Sequence, residues 1–244
     1  MGNRRIFFPS LFTILNLLFG FLSIIKTMGG NLHGAAWFII LAVLCDGMDG
    51  KLARITDSET GFGFELDSLA DMISFGLAPM ILVYHDGFNH WGFFGILFPF
   101  IYLLGGAYRL ARFNILQAGD RSQGYYGLPI PIAAICISSF SNFKKLTGFL
   151  DHAAVWIPLL FFITLIMISA IRYDWPKINF RENWRNMIRS GLMIFGLTIL
   201  AVFPEIMLFP IIICYIVLSI LKQFIAVFRK EADWIEFFSV VRKH

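Results

Sequence analysis

Four aspartates in one short stretch, Asp46, Asp49, Asp67 and Asp71, have the type and spacing to do chemistry. They lie in the segment 46–71, DGMDGKLARITDSETGFGFELDSLAD, between two long apolar runs. Asp46, Asp49, Gly50 and Ala53 stand at i, i+3, i+4 and i+7, which is one face of a helix. Gly63, Asp67 and Asp71 stand at i, i+4 and i+8, one stripe of a second helix. Carboxylates on adjacent turns can share a hard cation, and four that face each other need a counter-charge to remain ionised together. Oxygen-only ligation selects Mg2+, Mn2+ or Ca2+ over zinc. Gly50 and Ala53 leave a shallow surface where a flat group could approach the backbone, and Arg54 follows at its mouth. Divalent metal beside an arginine is equipment for polarising a pyrophosphate, with one carboxylate left as a base toward a hydroxyl. An ion-paired helix end beside Lys51 and Arg54 would explain one aspartate, but not four in two registered stripes.

The elements that position these acids read as membrane helices. The chain of 244 residues is 58% hydrophobic and 15% charged, where a soluble domain carries roughly 25% charged residues. Its mean hydropathy is +0.73. The expectation is an all-α, polytopic integral membrane helix bundle forming one domain over 1–244. Spans need about 20 apolar residues. Eight segments qualify: Ser10–Met28, Ala35–Arg54, Phe64–Tyr84, Trp91–Asn114, Leu128–Phe143, Ala153–Arg172, Met187–Phe203 and Ile206–Phe228. The first lacks a cleavage pattern and reads as a retained helix rather than a signal. The helices of 9–143 carry the acids, 151–228 adds further membrane helices, and 229–244 is a cytoplasmic tail. From Lys222 onward that end mixes charges with Trp234, Phe237 and Phe238, as an interfacial helix or a frayed end would.

An ionisable group inside a span is costly, which makes the acids a functional-site hypothesis in their own right. The polar segment Ile55–Phe62 would turn the two acidic helices antiparallel with their stripes facing. With the N-terminus inside, seventeen of the twenty basic residues fall on the inner side, all but Lys26, Lys144 and Lys145. By the positive-inside rule the chain is N-in and C-in, with the acids at the cytoplasmic face, of the cell membrane if the source is prokaryotic. The net charge of +4 therefore reflects membrane topology and lipid headgroups rather than nucleic acid. Cys45, Cys136 and Cys214 are isolated in apolar runs and read as core filler.

The pattern Asp46-x-x-Asp49-Gly50-x-x-Ala53-Arg54, eight residues, then Gly63-x-x-x-Asp67-x-x-x-Asp71 resembles the complete signature of the CDP-alcohol phosphotransferase family. That resemblance implies a metal-dependent transfer of a phosphatidyl or similar group from a CDP-linked lipid to an alcohol, with release of CMP. By position, Asp46, Asp49, Asp67 and Asp71 would hold two divalent ions, Mg2+ or Mn2+, that bridge the pyrophosphate. Asp71 would also deprotonate the acceptor hydroxyl. Gly50 and Ala53 would face the cytidine, Gly63 would admit the nucleotide, and Arg54 would neutralise phosphate or brace the acids. The family also implies a homodimer.

Three further stretches are similar to the serine-using branch of that family: Ser74–Pro79, Arg109–Asn114 and Gly127–Pro131. The first span, with Thr13, Asn16, Gly20 and Ser23 on or near one stripe, is like it too. The substrates so implied are CDP-diacylglycerol and L-serine. Arg109 and Arg112, three apart, could fork the serine carboxylate, or simply anchor the helix on the inner side. Asn16, buried mid-span, requires a partner in substrate or in a neighbouring helix. Glycerol-3-phosphate or inositol phosphate as acceptor would want a denser basic pocket. A cation transporter would spread its acids across the membrane depth, whereas here they cluster at one face.

Overall fold

The structure, a computed structural model, describes residues 3–56, 61–119, 127–148, 153–169, 171 and 204–228. Every regular element among them is helical. α1 runs Asn3–Met28 and α2 Leu32–Thr56, joined by a tight turn that makes them antiparallel neighbours. One continuous helical rod then spans Gly61–Phe88. It consists of α3 (Gly61–Asp71), a widened π turn (Met72–Leu77), α4 (Ala78–Val83) and a second π turn (Tyr84–Phe88). α5 (Gly92–Gly119), α6 (Ile130–Thr147), α7 (Trp156–Ile168) and α8 (Pro204–Phe228) follow.

Among the described residues, five helices are long and apolar enough to cross a membrane: Leu11–Met28, Leu32–Asp49, Gly61–Phe88, Gly92–Leu116 and Pro204–Phe224. This matches an all-α membrane bundle; a count of eight spans is not confirmed among the described residues. α6 occupies the place expected for the fifth span, yet it carries Ser138, Ser139, Ser141, Asn142, Lys144 and Lys145. α7 is only 13 residues long, because the chain turns extended at Ser169. The expected span Met187–Phe203, the loop 172–189 and the tail 229–244 lie outside the described residues.

α1 shows how the bundle sits in lipid. Leu11, Ile14, Leu18, Phe21, Ile25 and Met28 are exposed, while Thr13, Asn16, Ser23 and Thr27 are buried. The helix is inverted relative to a soluble one, apolar outward and polar inward, because polar groups in a bilayer must find partners inside the protein. α1 packs along α2 and also against α3 and the first π turn, so it holds both acidic helices. α2 in turn packs on α6, α6 on α8, and α5 on α7.

The first π turn has an identifiable cause. Pro79 has no N–H to offer the carbonyl of Phe75 four residues back, which loosens the ladder at that point. The buried Tyr102 hydroxyl donates to that carbonyl instead, at 3.1 Å. Tyr102→Phe would strand it, at a cost of about 1–3 kcal/mol. A lower thermal midpoint in detergent is the expected result; an unchanged midpoint would show the carbonyl satisfied some other way.

At the far end of the bundle, Lys144 and Asp86 form an ion pair of 3.1 Å whose side chains are 4% and 14% exposed. Trp156 Nε1 donates to the same Asp86 oxygen at 3.2 Å, and the Lys144 ammonium lies over the Trp156 ring. Phe140 stands edge-on to Trp156 with centroids 4.8 Å apart.

Candidate active site

The four aspartates and the first half of α1 meet at one end of the bundle. Asp46, Asp67 and Asp71 each offer a carboxylate oxygen, and these oxygens lie within 4.8 Å of one another. The helical spacing of the acids is therefore realised as a cluster drawn from α2 and α3. Asp49 stands beside this trio rather than within it. Its carboxylate accepts the Thr13 hydroxyl, and its charge still bears on Asp46 and Asp67. Asp71 is buried at 8% exposure, and Asn16 Nδ2 donates to its Oδ1 at 3.1 Å. Thr13 and Asn16, one turn apart on α1, thus each hold an acid from a different helix.

Close approach of α1 to the π turn depends on Gly20. A Cβ there would come within 2.2 Å of Ser74 Oγ and 2.8 Å of the Ser74 Cα. Ser74 uses that proximity to donate to the Asn16 backbone carbonyl at 2.9 Å. On the other flank, Ser68 Oγ and the Asn114 amide exchange hydrogen bonds at 3.2 and 3.0 Å, tying α3 to α5. Thr13, Ser74 and Asn114 fall in stretches already noted for their resemblance to the serine-using branch, whereas Ser68 was visible in sequence only as a polar residue within an apolar helix.

The two arginines part company. Arg109 is buried at 6% exposure, its guanidinium 5.3 Å from the centre of the Phe113 ring, and its charge acts on Asp46 and Asp71. Arg112 instead turns to the end of α7. Its Nη1 donates to Ile168 O at 2.9 Å and its Nη2 to Ser169 O at 3.2 Å, carbonyls that a helix C-terminus leaves without intrahelical partners. Gly127, at φ 80°, completes this junction, since a Cβ would fall 2.2 Å from Met167 O. A forked clamp built from both arginines would have to draw Arg112 from the α7 carbonyls that hold it here.

Gly63 lies one turn before Asp67 on α3, and Gly50, Ala53 and Arg54 continue α2 beyond Asp49. Glu65 is exposed, off the acidic stripe. The segment 57–60, part of the expected polar turn, lies outside the described residues.

The donor set suits a hard divalent cation. All three close ligand atoms are carboxylate oxygens, and Asp67 Oδ1 is buried without a hydrogen-bond partner. Such an orphaned acceptor beside two further acids calls for positive charge, and oxygen ligation favours Mg2+ or Mn2+ over softer metals.

This acidic centre in a membrane bundle is accompanied by direct evidence of kinship. The chain belongs to the CDP-alcohol phosphatidyltransferase family, whose model matches residues 6–199, and it is a transferase of that family. Its relatives narrow the branch. It is 32% identical over 207 residues to the CDP-diacylglycerol–serine O-phosphatidyltransferase of Helicobacter pylori, covering 83% of this chain and 84% of the relative. It is 41% identical over 173 residues to the archaetidylserine synthase of Methanothermobacter thermautotrophicus, 70% of each chain. Against the CDP-diacylglycerol–serine O-phosphatidyltransferase of Methanocaldococcus jannaschii it is 36% identical over 165 residues, 68% of this chain and 71% of the relative.

Proposed function

We propose that this enzyme transfers the phosphatidyl group of CDP-diacylglycerol to the hydroxyl of L-serine, giving phosphatidylserine and CMP. The observation that carries the acceptor is that all three relatives named above have serine in their names. The archaetidylserine synthase differs in the lipid it names and keeps serine.

Asp71, the buried member of the trio, takes the proton of the serine hydroxyl as that oxygen attacks the lipid-bearing phosphorus. The bond from this phosphorus to the CMP oxygen breaks, and CMP leaves with the bonding electron pair. Asp46, Asp49, Asp67 and Asp71 are the residues that would hold two divalent ions, Mg2+ or Mn2+. When bound, such ions supply counter-charge to the acids and to the pyrophosphate. Gly50, Ala53 and Gly63 admit the nucleotide, and Arg54 neutralises phosphate. Arg109 meets the serine carboxylate in this reading, which its charge bearing on Asp71 supports. The basic residues of the sequence support an N-in, C-in chain of eight spans with the site at the cytoplasmic face. Family membership supports a homodimer, which crosslinking in native membranes would read.

The test is CMP release from CDP-diacylglycerol against a panel of L-serine, glycerol-3-phosphate and inositol phosphate. Release that depends on serine alone is expected; release with a phosphate-bearing alcohol and none with serine would overturn the acceptor. Asp46→Asn removes one charge from the close trio and is expected to raise the half-saturating Mg2+ or Mn2+ concentration by roughly tenfold or more. A metal dependence equal to that of the parent would take Asp46 out of the ligand set.

A further inference from the structure

The Asn16 side chain makes only half of the contacts an amide can make. It is fully buried, and its Nδ2 is committed to Asp71 Oδ1 at 3.1 Å. Its Oδ1 is buried with no hydrogen-bond partner among the described residues. Reversing the amide does not solve this, because it would set oxygen against the Asp71 carboxylate. The nearest hydroxyls do not solve it either. Thr13 gives its hydrogen to Asp49 and Ser74 gives its own to the Asn16 backbone carbonyl, and a hydroxyl has one hydrogen to donate. A buried carbonyl oxygen left without a donor is the exception in folded proteins and calls for an occupant.

The position of this oxygen limits the occupant. It sits on the same carbon as the nitrogen that holds Asp71, so it lies beside the proposed base. Asp67 Oδ1 is a second buried acceptor of the same kind in the same site. An occupant of this spot must be a hydrogen-bond donor or a cation, and a positively charged donor is both, which suits a neighbourhood of acids. We propose that Asn16 Oδ1 accepts a hydrogen bond from the α-ammonium of the acceptor substrate, making Asn16 a specificity-determining residue for an amino alcohol. In serine the ammonium-bearing carbon adjoins the hydroxyl-bearing carbon. A hydroxyl presented to Asp71 therefore carries its ammonium to an acceptor next to that acid. The amide has two duties: Nδ2 fixes the orientation of the base, and Oδ1 reads the substituent next to the reacting hydroxyl. This deepens the proposed function and rests on its serine acceptor.

The experiment compares kcat/KM for L-serine, 3-hydroxypropanoate (which lacks only the ammonium) and ethanolamine (which lacks only the carboxylate) in the parent and in Asn16→Ala. In the parent, serine is expected to exceed 3-hydroxypropanoate by about tenfold or more, the worth of a charged hydrogen bond. In Asn16→Ala that ratio is expected to collapse toward one, while the serine-to-ethanolamine ratio stays within about twofold. The half-saturating metal concentration and the KM for CDP-diacylglycerol report whether the amide is merely a strut. If they shift while the serine-to-3-hydroxypropanoate ratio holds, Asn16 Oδ1 serves packing or water, and the inference is overturned. Should Asn16→Ala not accumulate in membranes, Asn16→Ser is read in its place. The parent alone also decides: a preference for serine over 3-hydroxypropanoate below about threefold rules the contact out. A parent that ignores serine and uses a phosphate-bearing alcohol removes the serine reading itself, a result distinct from an unchanged ratio.

Discussion

Asp71→Asn is expected to lower CMP release by about 10²–10⁴-fold, the usual worth of a positioned general base. The substitution keeps the size and shape of the side chain. It also keeps an oxygen able to accept from Asn16 Nδ2, so the contact that now runs at 3.1 Å need not be lost. Asp46 and Asp67 remain to hold cation, with Asp49 beside them. What disappears is the ability to take a proton from the incoming hydroxyl. Binding of CDP-diacylglycerol, followed with labelled lipid in detergent, is expected to survive within a few-fold of the parent. Turnover close to that of the parent would remove Asp71 from the role of base. Joint loss of binding and turnover would make it chiefly a ligand.

The second large effect concerns stability and lies at the opposite end of the bundle. Lys144→Met is expected to destabilise the protein by about 3 kcal/mol, the low end of what breaking a buried ion pair costs, since Asp86 keeps some exposure. The remaining carboxylate would keep the Trp156 N–H as a hydrogen-bond donor and lose the cation now paired with it. Adding Asp86→Asn removes the uncompensated charge and retains an oxygen for Trp156, so the double variant is expected to recover part of the loss. Thermal unfolding of the four proteins in detergent forms the cycle. Effects that simply add would show that the two groups are not coupled. Activity of the single variant below its melting transition is expected to stay near that of the parent, because the acids lie at the other end.

The acids were legible in the sequence because helical spacing is local: Asp46 and Asp49, or Asp67 and Asp71, share a face whatever surrounds them. The membrane helices were legible from apolar run length for the same reason. What spacing could not supply was partnership across the chain. Thr13 draws Asp49 aside from the close trio over 36 positions of sequence, and Arg112 reaches carbonyls 56 and 57 residues away. The π turn after Asp71 was hidden because Pro79 can be read simply as a helix start, and only the Tyr102 hydroxyl reveals which carbonyl was freed. Lys144 looked like a charge on the outer side, but a lysine facing Asp86 inside the protein is a packing element rather than a topology signal. The helices at two expected spans, α6 and α7, are more polar or shorter than the other five, because run length counts residues and not where a helix stops or which polar groups it buries.

The polar stripe of α1 bears on the order in which the protein is made. Thr13 finds Asp49, and Asn16 finds Asp71 and Ser74, across separations of up to 58 residues. At 5–20 residues per second, synthesis from Asn16 to Ser74 occupies roughly 3–12 seconds. During that interval the first helix holds buried-type polar groups whose partners have not yet emerged. Until the helix bearing Asp71 and Ser74 arrives, the polar stripe of α1 has only α2 to pack against. The α1–α2 hairpin is complete in sequence before that point, but the acidic site is not, so a chain stalled before Asp71 and Ser74 would have the hairpin without the site.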